Sequence, residues 1–195
     1  MYPTVLVRVT PYSYGPGMSS DNPIGAGNQQ ETKDPEEPLD PWWIVGFVDG
    51  EGSFSVSIHN NPTNARRNGG WQLTPTFHLY QHEKESKLLA RVAGFFGCGR
   101  IYSKGPNSNV LAYTVSSMRE LESKIIPFFE EHPPLTKGPD FKLFAEIIRS
   151  MRRKDHLRPD GFNRVVTLAY AMNANGKQRS RPIEGVLQGS SETIR

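Results

Sequence analysis

The sequence has a single cysteine, Cys98, among its 195 residues. One thiol cannot form an internal disulfide, and this composition fits a reducing compartment. We expect Cys98 to be a small buried residue rather than a reactive thiol. There is no run of about 18 apolar residues, so we expect no membrane-spanning helix. The N-terminus also lacks the basic start and apolar core of a signal peptide, which argues against secretion.

Acidic residues are scarce outside the first part of the chain. Residues 1–40 contain two basic and six acidic residues, whereas the remainder contains 21 basic and 14 acidic residues. Residues 1–40 are also rich in Pro, Gly, Ser and Asn and have too little apolar content to offset the entropy lost on folding. We therefore predict a disordered acidic tail over residues 1–40. Residues 41–195 form one basic domain whose charge suits a polyanionic partner.

The segment Trp42 to Phe54 is an apolar run that ends in two acids alternating with glycines, WWIVGFVDGEGSF. A helix C-terminus carries partial negative charge, so Asp49 and Glu51 are placed there for a purpose other than stability. Gly46 and Gly50 lie four residues apart on one helical face. Their missing side chains allow a second helix to approach closely. The pattern predicts paired helices that bring acids together at their C-terminal ends.

Apolar and polar residues alternate with a period of two directly after this helix, which predicts strands with one buried and one polar face. Pro75 interrupts the second strand and predicts a bulge or an edge position. The outward faces carry almost no carboxylates, which favours a polyanion lying across the sheet, and their residue types are able to contact the base edges and phosphates of a nucleic acid. The predicted elements are a helix from residue 41, strands over residues 53–59 and 71–80, a helix over 83–96, a hairpin over 100–115, and helices over 118–130, 141–151 and 161–172.

The residues that we predict to contact such a partner fall into two groups. Most lie on the outward faces of the strands or in the first hairpin loop, and two lie in a later basic stretch. A further basic cluster at residues 149–154 adds at most sequence-independent phosphate contacts. The set is Ser55, Ser57, His59, Arg66, Arg67, Gln72, Thr74, Thr76, His78, Arg100, Tyr102, Lys104, Lys177 and Arg179.

The final residues contain a helix start with Ser190 or Ser191 as its cap, and the sequence stops about one turn later. Nucleating a helix costs more than one turn returns. We therefore expect the last helix to be truncated or degenerate.

Residues 45–54, VGFVDGEGSF, resemble the signature of the LAGLIDADG homing endonucleases, and the resemblance extends more loosely to the end of the chain. It implies an α+β fold of the αββαββα type with a curved, antiparallel, four-stranded sheet. Trp43 and Val45 stand where the family usually has smaller or aliphatic residues, and both affect helix packing rather than chemistry. Only one signature is present, so the resemblance implies a homodimer whose interface includes Trp43, Val45, Gly46, Asp49 and Gly50.

The resemblance also implies the residues of the catalytic centre. Glu51 and the backbone carbonyl of Gly50 correspond to the ligands of a divalent metal, and hard oxygen donors suit Mg²⁺ or Mn²⁺. Gln81 corresponds to a polar residue that orders water, and Lys137 to a lysine beside the scissile phosphate. Asp49 is then a structural acid.

The implied function is a metal-dependent, intron-encoded endonuclease that cuts double-stranded DNA at a long, pseudo-palindromic site. Two alternatives stay open. In the first, the chain is an RNA maturase, with intron RNA as its partner, or a DNA-binding protein of the same fold without nuclease activity. In the second, it is one half of a larger protein. An organelle or the bacterial cytoplasm is the expected location.

Overall fold

The computed structural model describes residues 38–61, 63, 70–172 and 182–191, with side chains described as far as residue 187. Residues 1–37 lie outside these ranges, and so does nearly all of the predicted tail. Four predicted DNA contacts also fall outside them, namely Arg66, Arg67, Lys177 and Arg179. No helix in the described ranges is long and apolar enough to cross a membrane.

The chain folds as two consecutive units of a helix and a hairpin, followed by further helices, as the αββαββα prediction requires. The first unit is α1 (Pro41–Glu51), β1 (Gly52–Asn60) and β2 (Trp71–His82). The second unit is α2 (Ser86–Phe96), β3 (Arg100–Ser103) and β4 (Val110–Val115). The remaining helices are α3 (Met118–Glu120), α4 (Ile126–Glu131), α5 (Gly138–Arg152), α6 (Pro159–Ala171) and α7 (Ile183–Ser191).

The four strands form one antiparallel sheet in the order β1-β2-β4-β3, so the two hairpins pair through β2 and β4. In the β1–β2 register Phe54 faces Phe77, and in the β2–β4 register Phe77 faces Val115. The β4 pairing begins at Phe77, so Pro75 has a strand neighbour only at Val56 of β1. The predicted edge position is therefore confirmed, and no ladder hydrogen bond to β4 is lost at this proline.

The core lies between the inward face of the sheet and the helices, and Phe54 is at its centre. Its ring lies 5.3 Å from the ring centroids of Phe77, Phe129, Phe141 and Phe144. These residues come from β2, α4 and α5. One aromatic cluster therefore joins the first hairpin to the helices that follow the second.

Residues 118–131 are continuous helix, as predicted, but five of them form a wide π turn. Between α3 and α4 the segment Leu121–Ile125 adopts this turn, and the Ile126 N–H donates to the Leu121 carbonyl. Pro127 follows directly and has no N–H to donate. The wide turn accommodates that loss without breaking the helix.

The helix ends follow local chemistry in two places. The Asp40 carboxylate accepts hydrogen bonds from the N–H groups of Trp42 (2.8 Å) and Trp43 (3.0 Å), which makes Asp40 the N-cap of α1. Gly97 ends α2 with a φ of 58°, a left-handed conformation that glycine adopts without strain.

Cys98 follows and is half-buried, with its Sγ 3.9 Å from the Tyr113 hydroxyl. Burial raises the pKa of the Cys98 thiol, which fits a structural role.

Helix α7 corrects the prediction for the end of the chain. The helix runs over Ile183–Ser191, so Ser190 and Ser191 lie at its end and not at its start. Val186 packs in a second core cluster with Trp71, Phe162 and Val166. Burial of this apolar face stabilises a short helix whose own propensity is low.

Candidate active site and nucleic-acid interface

The two acids of the signature lie at the C-terminal end of α1. Glu51 is the last residue of the helix and is exposed, and β1 begins at the next residue, Gly52. A Cβ at Gly52 would lie 2.6 Å from the Val48 carbonyl oxygen, so only glycine fits this tight exit from the helix. The chain therefore turns into the sheet immediately after the carboxylate that is predicted to bind metal.

Asp49 holds a distant segment of the chain against this end of α1. Its Oδ2 accepts a hydrogen bond from the Leu135 N–H (2.8 Å), and its Oδ1 accepts from the N–H groups of Thr136 (3.0 Å) and Lys137 (3.0 Å). The Thr136 hydroxyl donates to the same Oδ1 at 2.9 Å. Asp49 thereby holds the backbone of Lys137, the residue that precedes α5, against α1. The point of contact on α1 is two residues before Glu51.

The protonation of Asp49 reflects these contacts. Burial acts to raise the pKa of the Asp49 carboxyl, but the hydrogen bonds from Lys137, Leu135 and Thr136 together outweigh burial and lower it. The carboxylate is therefore ionised throughout the neutral range. The predicted structural role of Asp49 agrees with this geometry, in which its oxygens are engaged within its own chain.

The sheet register brings Gln81 to the same end of α1. Gly52, at the start of β1, lies opposite Leu79 of β2, and β2 continues as far as His82. Gln81 therefore stands beside the junction of α1 and β1. Its Oε1 accepts a hydrogen bond from the His82 N–H at 2.9 Å. Its predicted role in ordering water stays a prediction.

The oxygen donors of one chain are too few to enclose a metal ion. Within the described ranges no group of three or more His, Cys, Asp or Glu residues is placed to hold one. Glu51 and the Gly50 carbonyl offer only two hard donors. This donor set fits an open site for Mg²⁺ or Mn²⁺ that is completed by other molecules, and it does not fit a closed structural metal site.

The outward face of the sheet is polar and free of carboxylates in the described part of the chain. The β-ladder registers align its side chains in rows, such as Ser53, His78, Thr114 and Arg100. The face therefore offers hydrogen-bonding groups and positive charge without an opposing acid. Its predicted members are Ser55, Ser57, His59, Gln72, Thr74, His78, Arg100, Tyr102 and Lys104, and its further members are Ser53, Tyr80 and Thr114.

Two findings revise the predicted set on this face. The side chain of Thr76 is only 6% exposed, so the predicted DNA contact by Thr76 is wrong for this arrangement. Tyr80 and Thr114 belong to the face but were not predicted as contacts. Their alternation with buried Leu79 and Tyr113 was the signal that placed them outward.

A connected group of five side chains occupies the middle of this face. The Thr114 hydroxyl donates to the Tyr102 hydroxyl at 3.0 Å, and His78 Nδ1 lies 3.2 Å from the Thr114 Oγ1. The His78 ring stacks on Tyr80 with centroids 5.6 Å apart. The Lys104 ammonium lies 4.5 Å from the centre of the Tyr80 ring. Burial, and secondarily the charge of Lys104, lowers the pKa of His78.

The basic cluster at residues 149–154 has a different environment. Its arginines are paired with acids on neighbouring helices or turns, which reduces their attraction for phosphate. The observed pairs are Arg149 with Glu130, Arg152 with Glu122 and Arg153 with Asp155, and Arg164 of α6 pairs with Glu146.

Helix α1 has two apolar faces, and only one is covered by its own chain. Ile44, Val45 and Val48 are buried in the core, so the prediction that Val45 lies at a dimer interface is wrong. The opposite face carries Gly46 and Gly50, and a Cβ at either would meet no atom within 4 Å. A helix that is apolar all round requires a partner on each face.

The exposed face of α1 is flanked by large apolar side chains. Trp43 is 42% exposed and stacks on Phe47, with ring centroids 5.2 Å apart. Leu135, which Asp49 holds beside the helix, is 87% exposed. Large apolar side chains that lie exposed along one helix favour an interaction site there.

Comparisons with known proteins agree on one family. The family model for LAGLIDADG endonucleases matches residues 44–148, which contain most of α1, the whole sheet and most of α5. The chain is 32% identical to probable intron-encoded endonuclease 3 of Neurospora crassa over 136 residues, which cover 69% of this chain and 25% of that protein. It spans about a quarter of the length of the first curated relatives that it matches.

Solved structures match a larger share of their own chains. The crystal structure of the homing endonuclease I-TnaI is 32% identical with a TM-score of 0.66, covering 80% of this chain and 99% of that one. The archaeal intron-encoded homing endonuclease I-Vdi141I, complexed with DNA, is 30% identical with a TM-score of 0.71, covering 78% of this chain and 95% of that one. With the matching signature, sheet and helix order, this chain belongs to the LAGLIDADG endonuclease family.

Proposed function

We propose that this protein is a metal-dependent, site-specific endonuclease that cuts double-stranded DNA as a homodimer. The observation that supports the proposal is the contact of Asp49 with residues 135–137, because it holds the backbone of Lys137 against the end of α1, where Glu51 is exposed. An exposed acid and a lysine at one end of a sheet face without carboxylates suit a phosphodiester that lies across that end.

The DNA would lie against the polar face of the sheet. A two-stranded ribbon fits the major groove, and the Ser, Thr, Gln, His, Arg and Lys side chains of this face are able to contact base edges and phosphates. The related I-Vdi141I is complexed with DNA, and related I-SmaMI is bound to cleaved DNA, which supports the same partner here.

The metal would be Mg²⁺ or Mn²⁺, held by Glu51 and the Gly50 carbonyl together with oxygens of the DNA and of a second copy. When bound, it supplies Lewis-acid stabilisation and an activated water. Glu51 provides the negative charge that holds the cation. Lys137 stabilises charge on the phosphate oxygens, Gln81 orders solvent beside it, and Asp49 keeps Lys137 in place.

Dimerisation follows from the need for two cuts. The chain contains one signature, so one chain supplies one Glu51. Packing two copies through the exposed faces of α1, with Trp43, Gly46 and Gly50 at the contact, brings two such acids to one symmetry axis. The half-sites of the DNA would then be related by the same symmetry.

The sequences of relatives that are named as intron-encoded support an intron as the source of this chain. We propose an organelle or the bacterial cytoplasm as its location. If the protein were instead an RNA maturase, we would expect a second basic surface, away from the sheet, to bind the RNA. The paired arginines on α5 and α6 offer less free charge than such a surface requires.

The decisive experiment is selection of cleaved sites from a randomised DNA library with purified protein and Mg²⁺. We expect one long, partly symmetric sequence to be enriched, with both strands cut near its centre, and no cleavage in EDTA. The Glu51→Gln variant is the control for contaminating nucleases. Wild-type protein that cuts nothing but accelerates the splicing of an RNA would replace this proposal with the maturase.

A further inference from the structure

Leu135 lies in the connection between α4 and α5, and its side chain is 87% exposed, the largest exposed fraction among the large apolar residues of the described ranges. A single exposed leucine in a loose loop needs no explanation. The backbone of Leu135, however, is held against α1, because its N–H donates to the Asp49 carboxylate at 2.8 Å. Leu135 therefore cannot fold back into its own core, and only another molecule is able to cover it.

Helix α1 presents two different flanks, one on each side of its open glycine face. Successive residues of an α-helix are rotated by about 100°. Trp42 and Asp49 therefore lie on one side of the glycine face, and Trp43 and Phe47 lie on the other. The first side, to which Asp49 holds Leu135, is the leucine flank. The second is the aromatic flank, in which the Trp43 and Phe47 rings stack with centroids 5.2 Å apart.

The leucine flank is held in place at two points. Near the start of α1, the Trp42 ring meets the His132 ring edge to face, with centroids 5.2 Å apart. Near the end of α1, Asp49 binds the backbone of residues 135–137. Pro134, between these points, is buried. The flank is therefore preorganised as a surface before any partner arrives.

Pairing of two α1 helices brings unlike flanks together. The proposed dimer places the two Glu51 carboxylates at one end of the helix pair, so the helices run in the same direction and the two-fold axis lies between them. A half turn about that axis sets the leucine flank of one copy against the aromatic flank of the other. Like flanks would meet only in an antiparallel pair, which would separate the two carboxylates.

We propose that Leu135 packs on the aromatic flank of the second copy, and that this contact fixes Lys137 for catalysis. Leu135 is then a positioning residue that acts through Lys137, and the site of one copy is incomplete without the other. The inference rests on the proposed dimeric endonuclease, and it extends the role of the second copy from association to the positioning of the lysine.

Exclusion of water connects the packing of Leu135 to the position of Lys137. In one copy, the hydrogen bonds from Leu135 and Thr136 to Asp49 are exposed, so water competes for the carboxylate. An apolar cover over Leu135 removes that water, and hydrogen bonds to a carboxylate are stronger where the local dielectric constant is lower. The Lys137 N–H donates to the same carboxylate at 3.0 Å, so Lys137 becomes more rigidly held when two copies pair.

Leu135→Ala tests the contact, because it shortens the side chain and leaves the backbone hydrogen bonds in place. With protein that sedimentation shows to be dimeric and with saturating DNA, single-turnover cleavage should fall by about fivefold while DNA affinity changes by less than about twofold. Leu135→Met keeps the apolar volume and should restore the rate. Leu157→Ala is the matched control, because Leu157 is also exposed but lies in the turn before α6. An unchanged rate in Leu135→Ala, or an equal loss in the control, would overturn the proposal.

Mixed dimers, purified through two different affinity tags, test which flanks meet. When one copy carries Leu135→Ala and the other carries Trp43→Ala, both changes fall at one contact and the second contact stays intact. One DNA strand should then be cut at the wild-type rate, so that nicked DNA accumulates. When one copy carries both changes and the other carries none, both contacts are damaged and both strands should be cut slowly. Equal behaviour of the two arrangements would contradict the pairing of unlike flanks.

Intermolecular nuclear Overhauser effects provide a test that needs no DNA. In dimers of one copy with labelled leucine methyl groups and one copy with protonated aromatic rings, the Leu135 methyl groups should contact the Trp43 and Phe47 rings. A dimer without these contacts that still cuts DNA would overturn this inference and leave the endonuclease in place. A dimer with these contacts that cuts no DNA would defeat the proposed function, and with it only the catalytic half of the inference.

Discussion

At the scale of single residues, the two signature acids differ in environment although they are two positions apart. Asp49 accepts hydrogen bonds from residues 135–137 of its own chain, whereas Glu51 is exposed at the end of α1. An acid whose oxygens are occupied is a poor metal ligand, and an exposed one is available. The exposure of Glu51 therefore supports the proposal that Glu51, and not Asp49, binds the metal.

We expect Glu51→Gln to abolish cleavage and to leave DNA affinity within about tenfold, because the change removes the metal-binding charge and preserves the shape. Cleavage assays and filter binding on the selected site would measure both quantities. Asp49→Asn serves as the comparison, since it alters the neighbouring acid. Cleavage by the Glu51 variant at the wild-type rate would show that another group holds the metal.

Lys137→Met should lower the single-turnover cleavage rate by about tenfold or more while DNA affinity changes little. A cation beside the phosphate contributes most when negative charge grows in the transition state. The methionine keeps much of the apolar stem. Equal losses of affinity and rate would make Lys137 an ordinary phosphate contact.

The Asp49 contacts predict a pH-dependent stability difference. Asp49→Asn should lower the free energy of unfolding at pH 7 by about 1.5 kcal/mol, since charged acceptors give stronger hydrogen bonds than neutral ones. The pKa of Asp49 is lowered from its usual 3.8, so its stabilisation is present above about pH 4 and is lost as the pH falls through the folded-state value. Urea unfolding at pH 7 and near pH 3 should show the difference between wild type and variant shrinking. A constant difference would contradict this.

At the scale of secondary structure, the sheet and the helices of the second layer present opposite charge environments. Arg100 of β3 is exposed on a face without carboxylates, whereas Arg152 of α5 lies 2.6 Å from the Glu122 carboxylate. Arg100 and Arg152 carry the same formal charge, but we therefore expect Arg100 to attract DNA more strongly than Arg152.

Arg100→Ala should change base preference in one part of each half-site, because Arg100 is exposed on the polar face of the sheet and arginine pairs with base edges in the major groove. Arg152→Ala should change affinity by less than about threefold and leave the salt dependence unaltered, since its charge is already paired. Affinity measured on the selected site and on scrambled DNA at several salt concentrations separates the two cases. A uniform loss in both variants would mean that the β3 hairpin reads no bases.

Local patterns predicted most of the elements, and contacts between distant residues account for what they missed. Alternation predicted the two strands that carry Phe54 and Phe77, and the helix predicted from residue 41 is α1. The Asp49 contacts join residues 86 to 88 positions apart, which no local pattern reveals. Helix α7 was missed because it depends on burying Val186 against Trp71 and Phe162, although its apolar spacing was present.

At the scale of the whole molecule, α1 is the element whose environment is incomplete in one chain. Its exposed face combines Trp43, Phe47 and two open glycine positions, and Leu135 lies beside it. The same helix carries Glu51 at its end. Association and catalysis are therefore expected to depend on the same face, so that a chain that cannot pair cannot cut both strands.

Gly46→Leu tests this dependence without disturbing the fold of one chain. A Cβ at Gly46 meets no atom within 4 Å in the chain alone, so the variant should fold, but its isobutyl group should prevent two α1 helices from packing closely. Sedimentation should show dimers for the wild type and monomers for the variant, together with loss of double-strand cleavage. Gly185→Leu is the matched control, because Gly185 lies in α7 and its Cβ position is equally open. An unchanged dimer in the Gly46 variant, or a monomeric wild type that cuts both strands, would refute pairing through α1.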